Sequence, residues 1–323
     1  MTASTRSRQE RGRTRSRELL RAEAGRLVRH PVLLAGVAGT ALLQTSALGQ
    51  MPDVMSTQWW STKAYYEMGS LWFAMYGAAF VAGNLVALRD RETTTAEALR
   101  AVPVTRHHRT LALLWSGAVP VVLAALVSLY VAALVSRLGG MPVGDVPGPE
   151  RIPLTPWEVV VPLAVTAAAY TAGVAVARLI PHPIVGVFLG VVGSMALTAV
   201  VWVWMWYPAG FLVPFAVATR EGESLGPNPG PETLASHTPL LAAPKPWSRE
   251  WRIVELEPGR VGWHALYMVG LAVVWAGVAL ARSGTPARRG WWTAGVGVLL
   301  AVAGFVLQVR STGQTWTFLD STS

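Results

Sequence analysis

Seven apolar stretches, each about 20 residues long, recur along this chain, and arginine crowds every second connection between them. They run Pro31 to Gly49, Met68 to Leu88, Leu111 to Ser136, Val159 to Ile180, Pro183 to Trp206, Trp263 to Ala281 and Gly290 to Val309. At a rise of about 1.5 Å per residue, a helix of that length covers the roughly 30 Å hydrocarbon core of a bilayer. Lipid offers the backbone no hydrogen-bond partner, so stretches of this kind cross only as helices. The alternating segments of about ten residues that a β-barrel needs are absent. The expected fold is therefore an all-α polytopic membrane protein, a bundle of about seven transmembrane helices preceded by an interfacial helix.

Composition agrees: 52% hydrophobic and only 14% charged residues leave too little polar surface to coat a soluble globule of 323 residues. The net charge of +9 could suggest nucleic acid, but 25 of the 27 basic residues are Arg and many flank the apolar stretches. Anionic membrane lipids are the nearer partner there, and nucleic acid is not expected. Cysteine is absent, which excludes disulfides and thiolate chemistry. The first thirty residues, an Arg/Ser/Glu tract, do not read as a cleavable signal peptide.

Placing the N-terminus in the cytoplasm puts 18 of the 27 basic residues inside and 12 of the 18 acids outside. That Arg bias sets the orientation, and seven crossings put the tail from Arg310 to Ser323 outside. The chain then divides into a basic tail with an amphipathic helix (1–30), a six-span body (31–281), and a basic turn, seventh span and external tail (282–323). In the first part, Arg17 to His30 reads as an interfacial helix with Leu20, Ala24, Leu27 and Val28 as its apolar stripe; a basic topology signal is the plainer account.

The connection from Arg89 to Arg109 is the most structured cytoplasmic one. Thr93, Thr94 or Thr95 can cap a short helix carrying Glu97 in its first turn, and Pro103 ends it. Leu99 and Val102 fall on one side, with charge on the others. This is the shape of a docking element, although an ordinary solvated loop has the same composition. His107 and His108 are neighbours on different helix faces, with no further ligand at useful spacing, so no metal site is expected.

Spans four and five form a tight hairpin with Arg178 at its end and Pro181-His182-Pro183 as its turn. In span five Gly186 and Gly190, followed by Gly193, make a small-residue surface that serves either as a dimer seam or as packing within the chain. The long external connection from Tyr207 to Gly262 opens with an apolar piece too short to cross, Ala209 to Ala218. Glu221 to Pro246 reads as extended and irregular.

No phosphate-cradling G-x-x-x-x-G-K-[ST], H-E-x-x-H, G-x-S-x-G or G-x-G-x-x-G sequence occurs. No catalytic residues are assigned, and intramembrane acids that could relay protons are missing. The chain is thus not expected to be an enzyme.

Three sets of residues resemble the permease subunit of type-2 ATP-binding-cassette (ABC) exporters in its actinobacterial form. These are Arg29-His30-Pro31 at the first span; Thr95, Glu97, Leu99 and Pro103 after the second; and Trp263-His264-Ala265-Leu266-Tyr267 with Gly270-Leu271 at the sixth. Thr94 stands where that family usually has glycine, and a seventh span is added to the family's six. The resemblance implies a bacterial plasma-membrane protein without a cofactor of its own. A separate cytoplasmic ABC ATPase would bind ATP and magnesium, and a second permease protomer, identical or different, would complete the path. It further implies an ATPase-coupling segment containing Arg89, Arg91, Glu92, Thr95, Glu97, Leu99, Arg100, Pro103 and Arg109. Arg178, Pro181, His182 and Pro183 would form a second coupling turn. A non-transporting scaffold or sensor subunit is the alternative, and a membrane-embedded enzyme, which would need a polar cluster, a weaker one.

Overall fold

The structure, a computed structural model, describes residues 18–54, 69, 71–89, 105–143, 150–203, 219–226, 230, 232, 241–242, 251–256, 258–284 and 287–311. Its helices are α1 (18–28), α2 (Pro31–Val54), α3 (Phe73–Leu88), α4 (Arg106–Ser116), α5 (Ala118–Arg137), α6 (Pro156–Leu179), α7 (Pro183–Val203), α8 (Pro258–Ala281) and α9 (Ala287–Arg310). Each apolar stretch read from the sequence holds a helix. Five of the crossings meet both the length and the hydropathy that a membrane span requires, α4 and α5 counting together as one continuous 32-residue crossing; α3 and the start of α7 are shorter apolar helices. The membrane body is all-α and polytopic.

The fourth span, α6, is the hub. It packs against α3, α5 and α8, touches α4 and α7 more lightly, and is the most buried of the long spans. Pro156 opens it at a position where the missing N–H costs nothing, and the Thr155 N–H donates to Glu158 Oε2 at 2.7 Å. Around this hub the chain uses glycine to bring backbones together, since between helices in lipid van der Waals packing replaces the hydrophobic drive. A Cβ on Gly83 would lie 2.6 Å from the Tyr170 carbonyl oxygen, and one on Gly173 would overlap the Phe80 carbonyl oxygen.

The seventh span packs chiefly on the sixth, as an antiparallel pair. Gly290, Ala294, Gly297, Ala301 and Gly304 recur at alternating spacings of four and three, one face of a helix, and all are buried. Gly297 meets Val274, Gly304 meets Tyr267 and Gly290 meets Ala281, in each case with no room for a Cβ. Gln308 extends the same face, and its Oε1 lies 2.9 Å from His264 Nδ1, a buried polar pair that joins the two helices. Trp291, Trp292, Leu299 and Val302 point away from the pair and stay exposed to the surrounding lipid.

Several expectations require correction. Span three begins at Arg106 rather than Leu111 and is broken at Gly117. The connection after it carries a hairpin, Met141–Val143 (β1) against Glu150–Ile152 (β2), launched by Gly139 and Gly140 at φ +80° and +118°. The stretch Glu221 to Pro246, expected to be extended and irregular, is extended but partly ordered: strand β3 (Thr219–Gly226) pairs antiparallel with β5 (Trp251–Leu256), and β4 (Leu241–Ala242) pairs on the other edge of β5. The aromatic and β-branched residues Trp251, Ile253 and Val254 are the local signal for this sheet. Val28, placed on the apolar stripe of α1, is half exposed, whereas Leu27 is fully buried and Leu20 and Ala24 partly so. Val28 lies about 100° around the helix from Leu27. The apolar piece 209–218 lies outside the described residues.

Candidate functional site

Connectivity gathers the chain's basic turns at one end of the bundle and both small sheets at the other. At the basic end α1 runs into α2 through His30 and Pro31, α3 ends at Arg89, α4 starts at Thr105, and the 180–183 turn joins α6 to α7. His107 lies close enough to Arg289, in the turn before α9, to feel its charge.

Of the coupling segment, Arg91, Glu92, Thr95, Glu97, Leu99, Arg100 and Pro103 lie outside the described residues, and Arg89 and Arg109 bracket them. After the gap the chain re-enters helix at a built start: the His108 N–H donates to Thr105 Oγ1 at 3.4 Å, and that hydroxyl lies 2.6 Å from His108 Nδ1. Arg109 is half-buried at the base of α4, while Arg106 is exposed. At the second turn Arg178 sits in the last turn of α6, half-buried, and Pro181, His182 and Pro183 are exposed. Thus Arg89 and Arg109 come from flanks of one connection, and Arg178 to Pro183 form a separate knuckle on the same end.

From Arg106 to Ser116 the chain forms a lever of three turns that meets the bundle at a joint. At Gly117 the backbone N–H turns to Leu114 O at 3.1 Å instead of Leu113 O, and Pro120 has no N–H to offer one turn on. The freed Leu113 carbonyl accepts from Tyr170 Oη at 2.9 Å and from Ser116 Oγ at 2.7 Å. Tyr170 comes from the hub helix and is fully buried. Its ring fills the notch at Gly117, where a Cβ would lie 2.7 Å from Tyr170 Cδ1. Tyr170, Ser116 and Gly117 were not singled out from the sequence; Gly117 and Pro120 three residues apart inside an apolar run are the local signal for a kink.

One layer across, α3, α6 and α7 meet around Asn84. Its Nδ2 donates to Gly173 O at 3.2 Å, and Gly186 presses on the other side of its amide with no space for a methyl group. Gly190 is closed off by Phe80 Cδ1 at 2.7 Å and Val81 Cγ2 at 2.8 Å, while Gly193 has nothing within 4 Å. Gly186 and Gly190 are therefore occupied by packing within the chain, and only Gly193 of that trio faces open space. Beyond them, Ile184, Phe188, Leu189, Val191, Val192 and Met195 leave the outer face of α7 apolar and exposed.

Among the described residues, the Thr40, Tyr76, Thr110 and Ser128 hydroxyls on the first three spans are buried and lack a protein partner. No three His, Cys, Asp or Glu side chains in the described part converge to hold a metal ion.

A family model described as "ABC-2 family transporter protein" matches residues 19–218, well over half of the chain. The match covers α1 and the first five spans; the sixth and seventh lie beyond it. No curated protein and no solved structure matches the chain.

Proposed function

Because the chain belongs to the ABC-2 family of transporter proteins, and is an ABC permease by that membership, we propose that it works as an exporter subunit driven by a separate cytoplasmic ATPase. The basic end is the cytoplasmic face, the two sheets are external, and the C-terminal tail is external. ATP and magnesium bind the partner, and two permease protomers enclose the path.

The observation that carries this reading is the lever. The charged connection that follows Arg89 leads into α4, and α4 ends on the Gly117 joint against the hub helix. Movement of two ATPase subunits would push that connection, and α4 would pass the displacement to Tyr170 and so to α6. Leu99 and Val102 supply the apolar anchor of the docking knob, the charges around them orient it, and the knuckle at Pro181 to Pro183 is the smaller contact.

The test is co-purification with an ATPase encoded beside this chain, together with ATP-dependent export from cells or vesicles. Leu99→Asp should break the complex and export together, and Glu97→Ala should weaken both. If both variants keep the complex and ATP-linked export, the docking assignment is wrong. A complex that hydrolyses ATP but moves nothing would favour the scaffold or sensor reading.

A further inference from the structure

At the basic end, the C-terminal half of α1 and the end of α3 border an open pocket of about 420 Å³. Its lining is Arg21, Ala22, Gly25, Arg26, Arg29, His30 and Pro31 from the α1–α2 corner, with Arg89 across from them. Four guanidiniums and one imidazole surround it, and no carboxylate lines it. Glu23, just behind, pairs with Arg26 at 2.8 Å. Arg21 and Arg29 sit one α1 turn before and one after Gly25 on the same face, and a side chain at Gly25 would meet nothing within 4 Å. Ala22 and Gly25 thus make a small-residue floor between arginine walls. Two helix C-termini, of α1 and α3, and only one N-terminus, of α2, meet here, so the backbone dipoles add no net positive field. The side chains supply the charge.

Arg26 is offset by Glu23, but Arg21, Arg29 and Arg89 gather with no carboxylate in the lining, and burial of His30 and the nearby Arg89 push that imidazole below its ordinary pKa. The depth of the pocket says what neutralises it. Pro31 begins the first span and Leu88 ends the second, so His30 and Arg89 stand at the boundary of the hydrocarbon layer, where lipid phosphates lie.

We propose that this pocket is a specific site for a phosphate, occupied by the headgroup of an anionic phospholipid held between the interfacial helix and the second span. The guanidinium forks match phosphate oxygens bidentately, the small floor admits the glycerol-side atoms, and the acyl chains follow the exposed surface of α2 into the bilayer. The lipid would tie α1 to the end of α3, the helix that leads into the Arg89 to Arg109 connection. The inference stands on the pocket's charge and depth and does not depend on an ATPase partner.

The test uses the full-length chain in a neutral detergent, followed by thermal unfolding while phosphatidylglycerol, phosphatidylcholine or inorganic phosphate is added. Phosphatidylglycerol should raise the midpoint saturably, phosphatidylcholine much less because its choline cation opposes the arginines, and inorganic phosphate not at comparable concentration. Arg29→Gln with Arg89→Gln should weaken the phosphatidylglycerol response about thirtyfold, which is about 2 kcal/mol at about 1 kcal/mol per basic residue near an anionic surface. Gly25→Leu leaves every charge in place, projects into open space and fills the floor; it should weaken the response as well. Arg137→Gln, at the other end of the bundle, should leave it at the wild-type level. If the arginine pair is too unstable to purify, Gly25→Leu alone decides. A wild-type response in Gly25→Leu overturns the site, and inorganic phosphate acting as well as the lipid overturns the lipid as its occupant.

Discussion

Replacing Gly173 with alanine tests whether the bundle is held by backbone contact at its hub. A Cβ there would overlap the Phe80 carbonyl oxygen, and would sit 2.9 Å from the Phe80 carbonyl carbon and 3.0 Å from Asn84 N. These obstructing atoms are backbone, so no rotamer change relieves the contact. Helices α3 and α6 would have to separate by on the order of 1 Å, because close-packed interiors yield as bodies rather than atom by atom. Overpacking of this kind costs about 1–3 kcal/mol. The separation also stretches the 3.2 Å bond from Asn84 Nδ2 to Gly173 O, whose loss costs about 1 kcal/mol. Alanine's better helix propensity returns up to about 1 kcal/mol. The net expectation is a loss of about 1–3 kcal/mol. The companion variant is Gly193→Ala, where nothing lies within 4 Å and only the propensity gain applies. Denaturant titration of the two variants in the same detergent should separate them by about 2–4 kcal/mol, Gly193→Ala being the more stable. If Gly173→Ala unfolds at the same point as Gly193→Ala, or after it, the α3–α6 contact is not set by the absence of a side chain and the packing argument fails.

The joint at Gly117 makes a prediction about non-additivity. Tyr170→Phe or Ser116→Ala alone leaves Leu113 O one of its two hydroxyl donors and should cost about 1 kcal/mol, while the double variant strands a buried carbonyl and should cost about 1–3 kcal/mol more than the sum of the singles. A double-mutant cycle showing strict additivity would mean the hydroxyls act separately. His30 carries a pH prediction. Its pKa is lowered in the folded chain by burial and by Arg89, so the unfolded chain binds the proton more tightly. Stability should be at its full value above about pH 6.5 and fall as the pH drops below it, and His30→Gln should flatten that slope in detergent free of anionic lipid. Equal acid sensitivity in both chains counts against it. For orientation, a cysteine at Thr315 in this Cys-free chain should react with an impermeant thiol reagent from outside intact cells. Labelling only after permeabilisation would remove the seventh crossing.

Legibility of the site followed the range of the interactions. The charged connection from Arg89 to Arg109, the Pro181 to Pro183 turn and the basic α1 could be read because charge, proline and helical periodicity are local properties. His30 was read only as part of the Arg29-His30-Pro31 corner, because its place in a pocket comes from Arg89, fifty-nine residues away in sequence, closing the other side. The Gly186 and Gly190 pair was visible, yet sequence left two uses open for it. Only the position of Asn84, Phe80 and Val81 shows that α3 takes up that surface. The glycine and alanine face of α9 was not read from the sequence; its partner face on α8, Tyr267, Gly270, Val274 and Gly277, follows the same rhythm.

What the sequence determined by itself is what the solvent dictates. Lipid requires every backbone group to be satisfied within its own segment, so apolar runs of sufficient length had to become helices, and arginine at their ends biases which side each end occupies. What the tertiary structure decided is which helix stands at the centre and where the helices touch. In lipid one apolar helix face is energetically much like another, so the choice falls to shape: glycines that admit a carbonyl at Gly83 and Gly173, and a tyrosine that fills the break at Gly117. Those fits depend on atoms from two or three spans at once, which no single stretch of chain contains.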